Sequence, residues 1–355
     1  MTLDQILRRE NNNADLLRLI AACAVIWGHA FVMVPGNKII EPVQQLLGFD
    51  YSGSLAVKFF FFLSGILVTN SWLSNGSPLR FVTARIFRIF PALIVAALVC
   101  MFIIGPALTE LPLASYFART DYFLHIARYP YIEYYLPGVF EHNLHPQANG
   151  AIWTIRYELA MYTALLTLGL CGLLRFKWVA TAFFSALILV SAIRPESIEL
   201  FGLPNVNMAG HLPAFFLFGA ILALHKKWVR LDGRLVAGLI PFACMFRHSA
   251  AFQFVFYPAF LISSIWLMTL RPVLQTRLPG DFSYGVYVFG WPIQQTLVTV
   301  FPHMGVAAHI VFAMSTSIAV ASVSWYAVEK PCIAFGRNVS LLRKSGRPDG
   351  LPSHS

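Results

Sequence analysis

Charged side chains are scarce in this sequence. Asp, Glu, Lys and Arg make up 12% of its 355 residues, about half their share in an ordinary soluble domain. Apolar residues reach 57% and the mean hydropathy is +0.65, so a soluble globule with a normally solvated surface is excluded. Acidic groups are the scarcer sign, 16 against 26 Lys and Arg. Cysteine is sparse as well. Cys23, Cys100, Cys171, Cys244 and Cys332 show no metal spacing and mostly sit inside apolar runs. They read as small hydrophobes and imply no disulfide framework. No internal repeat is evident, so the inverted-repeat signature of many transporters is missing. Arg8 and Arg9 precede the first apolar run as in a signal peptide. No clear small-residue cleavage site follows them, and the run reads as an uncleaved first span.

Long hydrophobic runs are what the sequence has in abundance. They recur near 15–35, 52–73, 88–106, 151–172, 178–193, 205–224, 235–247, 251–270, 283–301 and 306–327, most of them about the length that crosses a bilayer. The seventh is short and contains Pro241, which can kink it. The expected fold is all-α: a polytopic membrane protein of about ten spans with both termini cytoplasmic. With the N-terminus inside, eighteen of the 26 Lys and Arg fall on inner segments and five on outer ones, as positive-inside orientation requires. That distribution accounts for the +10 net charge without nucleic acid as a partner. A membrane domain over 1–335 would be followed by a basic cytoplasmic tail, 336–355, with the polar stretch from about 331 loosely ordered. The only long outer loop, about 107–150, is rich in aromatics. Its Tyr129, Tyr131, Tyr134 and Tyr135 suit stacking on sugar rings or, more commonly, an interfacial belt.

Polar residues inside such runs are costly and therefore candidates for chemistry. In "DLLRLIAACAVIWGHAF", 15–31, Arg18 and His29 are eleven residues apart. They differ by about 20° around a helix and by about 16 Å along it. Arg18 falls at the inner surface and His29 past mid-membrane. Singly they read as a snorkelling anchor and an interhelical hydrogen-bonding group. Sharing one stripe, they suit a long donor with phosphates at one end and a reactive group at the other. Arginine holds phosphate and imidazole can serve as a general base. In "NGAIWTIRYELAMY", 149–162, Glu158 comes to a depth close to that of His29 and could orient it or steady its charge. An ion pair with Lys58 is the structural alternative. Arg156 points about 160° away from Glu158.

Ser64 and Gly65 in "FFFFLSGILVTNSW" read as close helix packing rather than a nucleophile, since the G-x-S-x-G context is absent. Arg85 and Arg88 in "RFVTARIFRIFPAL" share a face at the inner surface. They could clamp nucleotide phosphates or simply anchor the span. Asp281 and Glu329 read as capping and anchoring. His142 and His145 have loose metal-like spacing, and no metal site is expected.

Taken in order, R-x10-H at Arg18 and His29, "FFFFLSG", "RIFRIFP", "NGAIWTIRYE", "SYGVY" and "VEKP" resemble the acyltransferase-3 family of integral membrane acyltransferases over about 12–335. The resemblance implies an acyl-CoA donor, acetyl-CoA by expectation, on the cytoplasmic side of the inner membrane. It implies an acceptor hydroxyl on a glycan of exopolysaccharide or lipopolysaccharide type, lipid-linked or at the cell surface, reached from outside. His29 would be the essential histidine and Arg18 its partner, with Arg18, Arg85 and Arg88 on the donor; beside the resemblance, Glu158 is expected to support the imidazolium of His29. Trp153, Tyr157, Lys58 and Ser64 are the candidates for the acceptor. Gly290 departs from the pattern, standing where many members have histidine, and no fused extracytoplasmic hydrolase-like domain is present. Direct transfer and an acyl-histidine relay both fit. A glycan or lipid transporter using the same buried groups is the rival reading.

Overall fold

In a computed structural model the chain is all-helical, and residues 1–119, 135–206 and 209–345 are described. Tyr129, Tyr131 and Tyr134 and the end of the tail, 346–355, lie outside the described residues. Eleven helices carry the architecture: α1 Ala14–Met33, α2 Ser52–Asn75, α3 Pro78–Val99, α4 Ile155–Leu170, α5 Lys177–Ile193, α6 Leu212–Leu224, α7 Gly233–Met245, α8 Phe252–Leu267, α9 Ser283–Val300, α10 Val306–Ser324 and α11 Lys330–Ser345. Each of the ten predicted spans falls on one of them. By length and composition, Ala14–Met33, Ser52–Asn75, Pro78–Leu108 and Val306–Val339 can cross a membrane. Lys177–Ile193 with Pro195–Phe201, bent by 113°, makes a fifth if it is one span.

Local chemistry sets the helix ends. Asn13 caps α1 by accepting from the Leu16 N–H at 3.1 Å, and its amide donates to the Val273 and Thr276 carbonyls at 2.7 and 2.6 Å. The start of the first span is thus tied to the segment that precedes α9. α2 stops at Gly76, whose φ of 58° is open to glycine at little cost. Ser77 then caps α3.

The centre of the bundle is the α2–α6 pair. A Cβ on Gly65 would lie 2.0 Å from the Phe216 carbonyl oxygen, and one on Gly219 would lie 2.1 Å from that of Phe62. Two backbones therefore meet where both side chains are hydrogen, the close approach that builds helix pairs in lipid. The packing expected at Gly65 is there. α1 and α9 run side by side along the same core, and Gly290 rests on Ile26, where a Cβ would meet Cγ1 at 2.9 Å.

The C-terminal stretch differs from expectation. From Lys330 to Ser345 it is helix, not loose coil. Phe335 meets the Phe87 ring at 5.6 Å, and Gly336 lets the two helices close, since a Cβ there would be 2.5 Å from Phe87. The apolar face that α3 presents supplies the partner that the polar tail lacked when read alone.

Candidate active site

A cavity of about 1140 Å³ opens between α1, α2, α3, α4, α9 and α11. Eight Lys and Arg line it against Asp15, Glu158 and Asp281. Arg9, Arg80, Arg277, Lys330 and Arg337 contribute from the segments around its mouth, while Arg18, Arg85 and Arg88 come from α1 and α3. The three arginines of the predicted donor set thus share one cavity.

Asp281 organises two of them. Its Oδ2 accepts from Arg18 at 2.6 Å and from Arg88 at 2.7 Å, and its Oδ1 accepts from the Ser283 hydroxyl at 2.6 Å. Arg18 also lies 3.4 Å from Asp15, and Arg88 lies 3.8 Å from the buried Glu329. Asp281 and Glu329 are therefore the counter-charges of the arginine cluster, which corrects the reading of capping and anchoring. Both carboxylates were visible in the sequence. The signal passed over was that Asp281 lies two residues before "SYGVY", close in sequence to the basic groups Arg271 and Arg277. Even so paired, the cluster keeps unused donors. Arg18 Nε, Arg85 Nε and Arg88 Nη1 are buried N–H groups without a hydrogen-bond partner among the described residues. An anion entering the cavity would satisfy them.

Deeper in, Glu158 accepts a short hydrogen bond from the Tyr162 hydroxyl, which also lies 3.3 Å from Ser64. The Arg85 guanidinium stands over the Tyr162 ring at 5.7 Å. Tyr287 and Thr154 end the cavity, their hydroxyls 2.7 Å apart.

His29 is elsewhere. It does not line the cavity. Its ring meets the Trp291 indole edge-on at 4.9 Å, and His145, from the segment between α3 and α4, approaches the same indole at 6.2 Å. No hydrogen bond or ion pair joins His29 to Glu158 among the described residues, which corrects the expected meeting of the two. Similar depth did not mean a shared face. α1 presents His29 to α9, whereas the first turn of α4 presents Glu158 to Tyr162 and Ser64, with the Thr154–Tyr287 contact among the groups that close the cavity.

Lys58 is also corrected. Its ammonium is held by Asp50 at 2.6 Å and Ser54 at 2.6 Å, away from both the cavity and Glu158, and Tyr257 donates to the same Asp50 oxygen at 3.0 Å. Of the four acceptor candidates only Ser64 faces the cavity. Tyr157 is fully buried, donates to the Pro204 carbonyl and packs on Trp153 at 5.7 Å. Arg156 lies over the Tyr157 ring at 5.0 Å, apart from Glu158 as the helical angle required. His142 pairs with Glu110 at 3.1 Å on the surface. Among the described residues no group of three His, Cys, Asp or Glu is placed to hold a metal ion.

The family model described as an acyltransferase domain matches residues 11–326. The chain belongs to the acyltransferase-3 family. It is 26% identical to an O-acetyl transferase of Shigella phage Sf6 over 332 residues, covering 90% of this chain and 96% of that protein. It is 28% identical to nodulation protein 10 of Rhizobium leguminosarum bv. viciae over 370 aligned positions, covering 94% and 96%. No solved structure matches it significantly. The chain is thus an acyltransferase with several membrane-scale helices, and neither the family nor these relatives support the transporter reading.

Proposed function

We propose that the protein moves an acyl group, acetyl in the first instance, from cytoplasmic acyl-CoA to a hydroxyl of a cell-surface or lipid-linked glycan. It would do so from the inner membrane, with ten crossings and both termini inside. One observation carries the donor assignment. Three arginines in one large basic cavity each keep a buried N–H donor without a hydrogen-bond partner among the described residues. The 3′-phosphate and pyrophosphate of coenzyme A are anions of matching chemistry. From Arg18 to His29 is about 16 Å along α1, a span suited to a pantetheine arm that ends in a thioester.

In this reading the phosphates replace part of the Asp281 contact on Arg18 and Arg88, and Arg85 closes on them from α3. The thioester reaches His29. The imidazole takes the proton of the acceptor hydroxyl as its oxygen attacks the acyl carbon. The C–S bond breaks, and the coenzyme A thiolate leaves and is protonated. An acyl-His29 relay differs only in placing the acyl group on the ring nitrogen between two such steps. Glu158 acts on the donor side, through Tyr162 and beside Arg85, and not on the imidazole.

Mass spectrometry of surface glycans tests the assignment in cells carrying the wild-type gene or His29→Gln. Acylation should be lost in the variant, while the purified variant keeps its thermal stabilisation by coenzyme A. Glycans acylated as in wild type would refute the role of His29.

A further inference from the structure

Charge is unevenly divided along the cavity. The three acids that line it all stand beside the half-buried arginines of its deeper part. Asp15 and Asp281 pair with Arg18, and Asp281 also pairs with Arg88. Glu158 takes the hydroxyl of Tyr162, whose ring lies beneath Arg85. Arg18, Arg85 and Arg88 are thus matched in number by Asp15, Glu158 and Asp281, and the inner cluster is formally neutral. The mouth has no such balance. Arg9, Arg80, Arg277, Lys330 and Arg337 line it, all exposed but the half-buried Arg80. Arg9, Arg80, Arg277 and Lys330 form no ion pair among the described residues.

These groups come from segments far apart in the chain, and two contacts hold the segments together. The Asn13 amide donates to the Thr276 carbonyl at 2.6 Å, which sets Arg277 beside the start of α1 that Arg9 precedes. Across the mouth, Gly336 closes on Phe87, so their chain neighbours Arg337 and Arg88 belong to one contact between α11 and α3. Positive-inside anchoring spreads basic groups along a membrane face, as it does Arg230 and Arg234, which line no part of the cavity. Convergence on one opening asks for a ligand.

We propose that the mouth is the subsite for the 3′-phosphate of coenzyme A, and that it makes the protein select this donor over dephospho-coenzyme A. This rests on the acyl-CoA reading given above. Coenzyme A carries about four negative charges near neutral pH, about two of them on the 3′-phosphate. The neutral inner cluster offers the pyrophosphate hydrogen bonds but no net charge, whereas the mouth offers a phosphate dianion unbalanced cations. With the thioester leading towards His29, the nucleotide end enters last and stops where those cations are. A lipid headgroup phosphate has related chemistry at the same surface, and the test separates the two.

Isothermal titration measures coenzyme A and dephospho-coenzyme A binding to the full-length protein in phosphatidylcholine nanodiscs, with and without phosphatidylglycerol. Wild type should bind coenzyme A about tenfold or more tighter than dephospho-coenzyme A in both lipids. The triple variant Arg9→Gln, Arg277→Gln, Lys330→Gln should reduce that ratio to about threefold or less, with dephospho-coenzyme A still bound within about threefold of wild type. Arg85→Ala should instead weaken both ligands and keep the wild-type ratio. Equal binding of the two ligands by wild type overturns the subsite. So does a ratio that survives the triple variant, or a triple variant that loses both ligands alike. A preference abolished by phosphatidylglycerol would give the mouth to lipid headgroups and overturn it as well. Coenzyme A that binds wild type in neither lipid refutes the donor reading itself, a result distinct from all of these.

Discussion

One oxygen of the Asp281 carboxylate accepts from two guanidiniums, Arg18 and Arg88. Burial pushes this carboxyl up, but Arg88 and then Arg18 outweigh burial and hold it down at about 2. The folded value is below the ordinary aspartate value of about 3.9. The ion pairs therefore stabilise the fold fully above about pH 4 and lose that contribution as pH falls through about 2. Asp281→Asn leaves two arginines facing each other and should cost about 3 kcal/mol. The variant's melting temperature in detergent should also fall less between pH 4 and pH 2 than that of wild type. Equal acid sensitivity in the two proteins would show that Asp281 is not the group responsible. Arg85 offers a complementary case. Arg85→Ala should weaken coenzyme A binding about tenfold or more, the scale of one charge-assisted hydrogen bond, and Arg85→Lys should recover only part of it because the planar fork is lost. Isothermal titration compares the three proteins.

Among elements, the α2–α6 contact separates packing from chemistry within two adjacent residues. Gly65→Leu would drive a branched side chain into the Phe216 backbone, and little folded protein should be recovered by size-exclusion chromatography. Ser64→Ala, one position away, loses a 3.3 Å contact to Tyr162 and should change turnover by less than about tenfold. Loss of all activity in that variant would instead mark Ser64 as a nucleophile. The same elements show what could be read from the sequence. Apolar run length located the helices because crossing a bilayer constrains each segment independently of its neighbours. The spacing of Arg18, Arg85 and Arg88 at one level was legible for the same reason. Partner choice across helices was not. Glu158 and Lys58 were placed at similar depth, yet Asp50 takes Lys58 and Tyr162 takes Glu158. Depth follows from counting residues, whereas azimuth depends on which helices pack together. Asp281 reads as a cap in the sequence because a single carboxylate in a loop carries no periodic signal of the arginines it pairs with.

At the scale of the whole molecule, orientation is open to a direct check with the protein's own cysteines. Cys171 and Cys244 are free and exposed, and they lie at the far ends of α4 and α7, which the proposed topology puts on opposite sides. In cells expressing single-cysteine variants, a membrane-impermeant maleimide should label Cys244 directly. Cys171 should be labelled only after permeabilisation. The reverse order would invert the topology and remove the cytoplasmic donor from the account.

The mouth of the cavity joins both ends of the chain. Arg9 and Asn12 enter it from before the first span, and Lys330 and Arg337 enter it from the last helix. A ribosome still short of α11 has made every other wall, but not this one. The entrance is thus completed only once α11 has been made, and a nascent or truncated chain without it would carry Arg18, Arg85 and Arg88 without their final enclosure. A chain cut before residue 330 should insert into the membrane yet bind no donor.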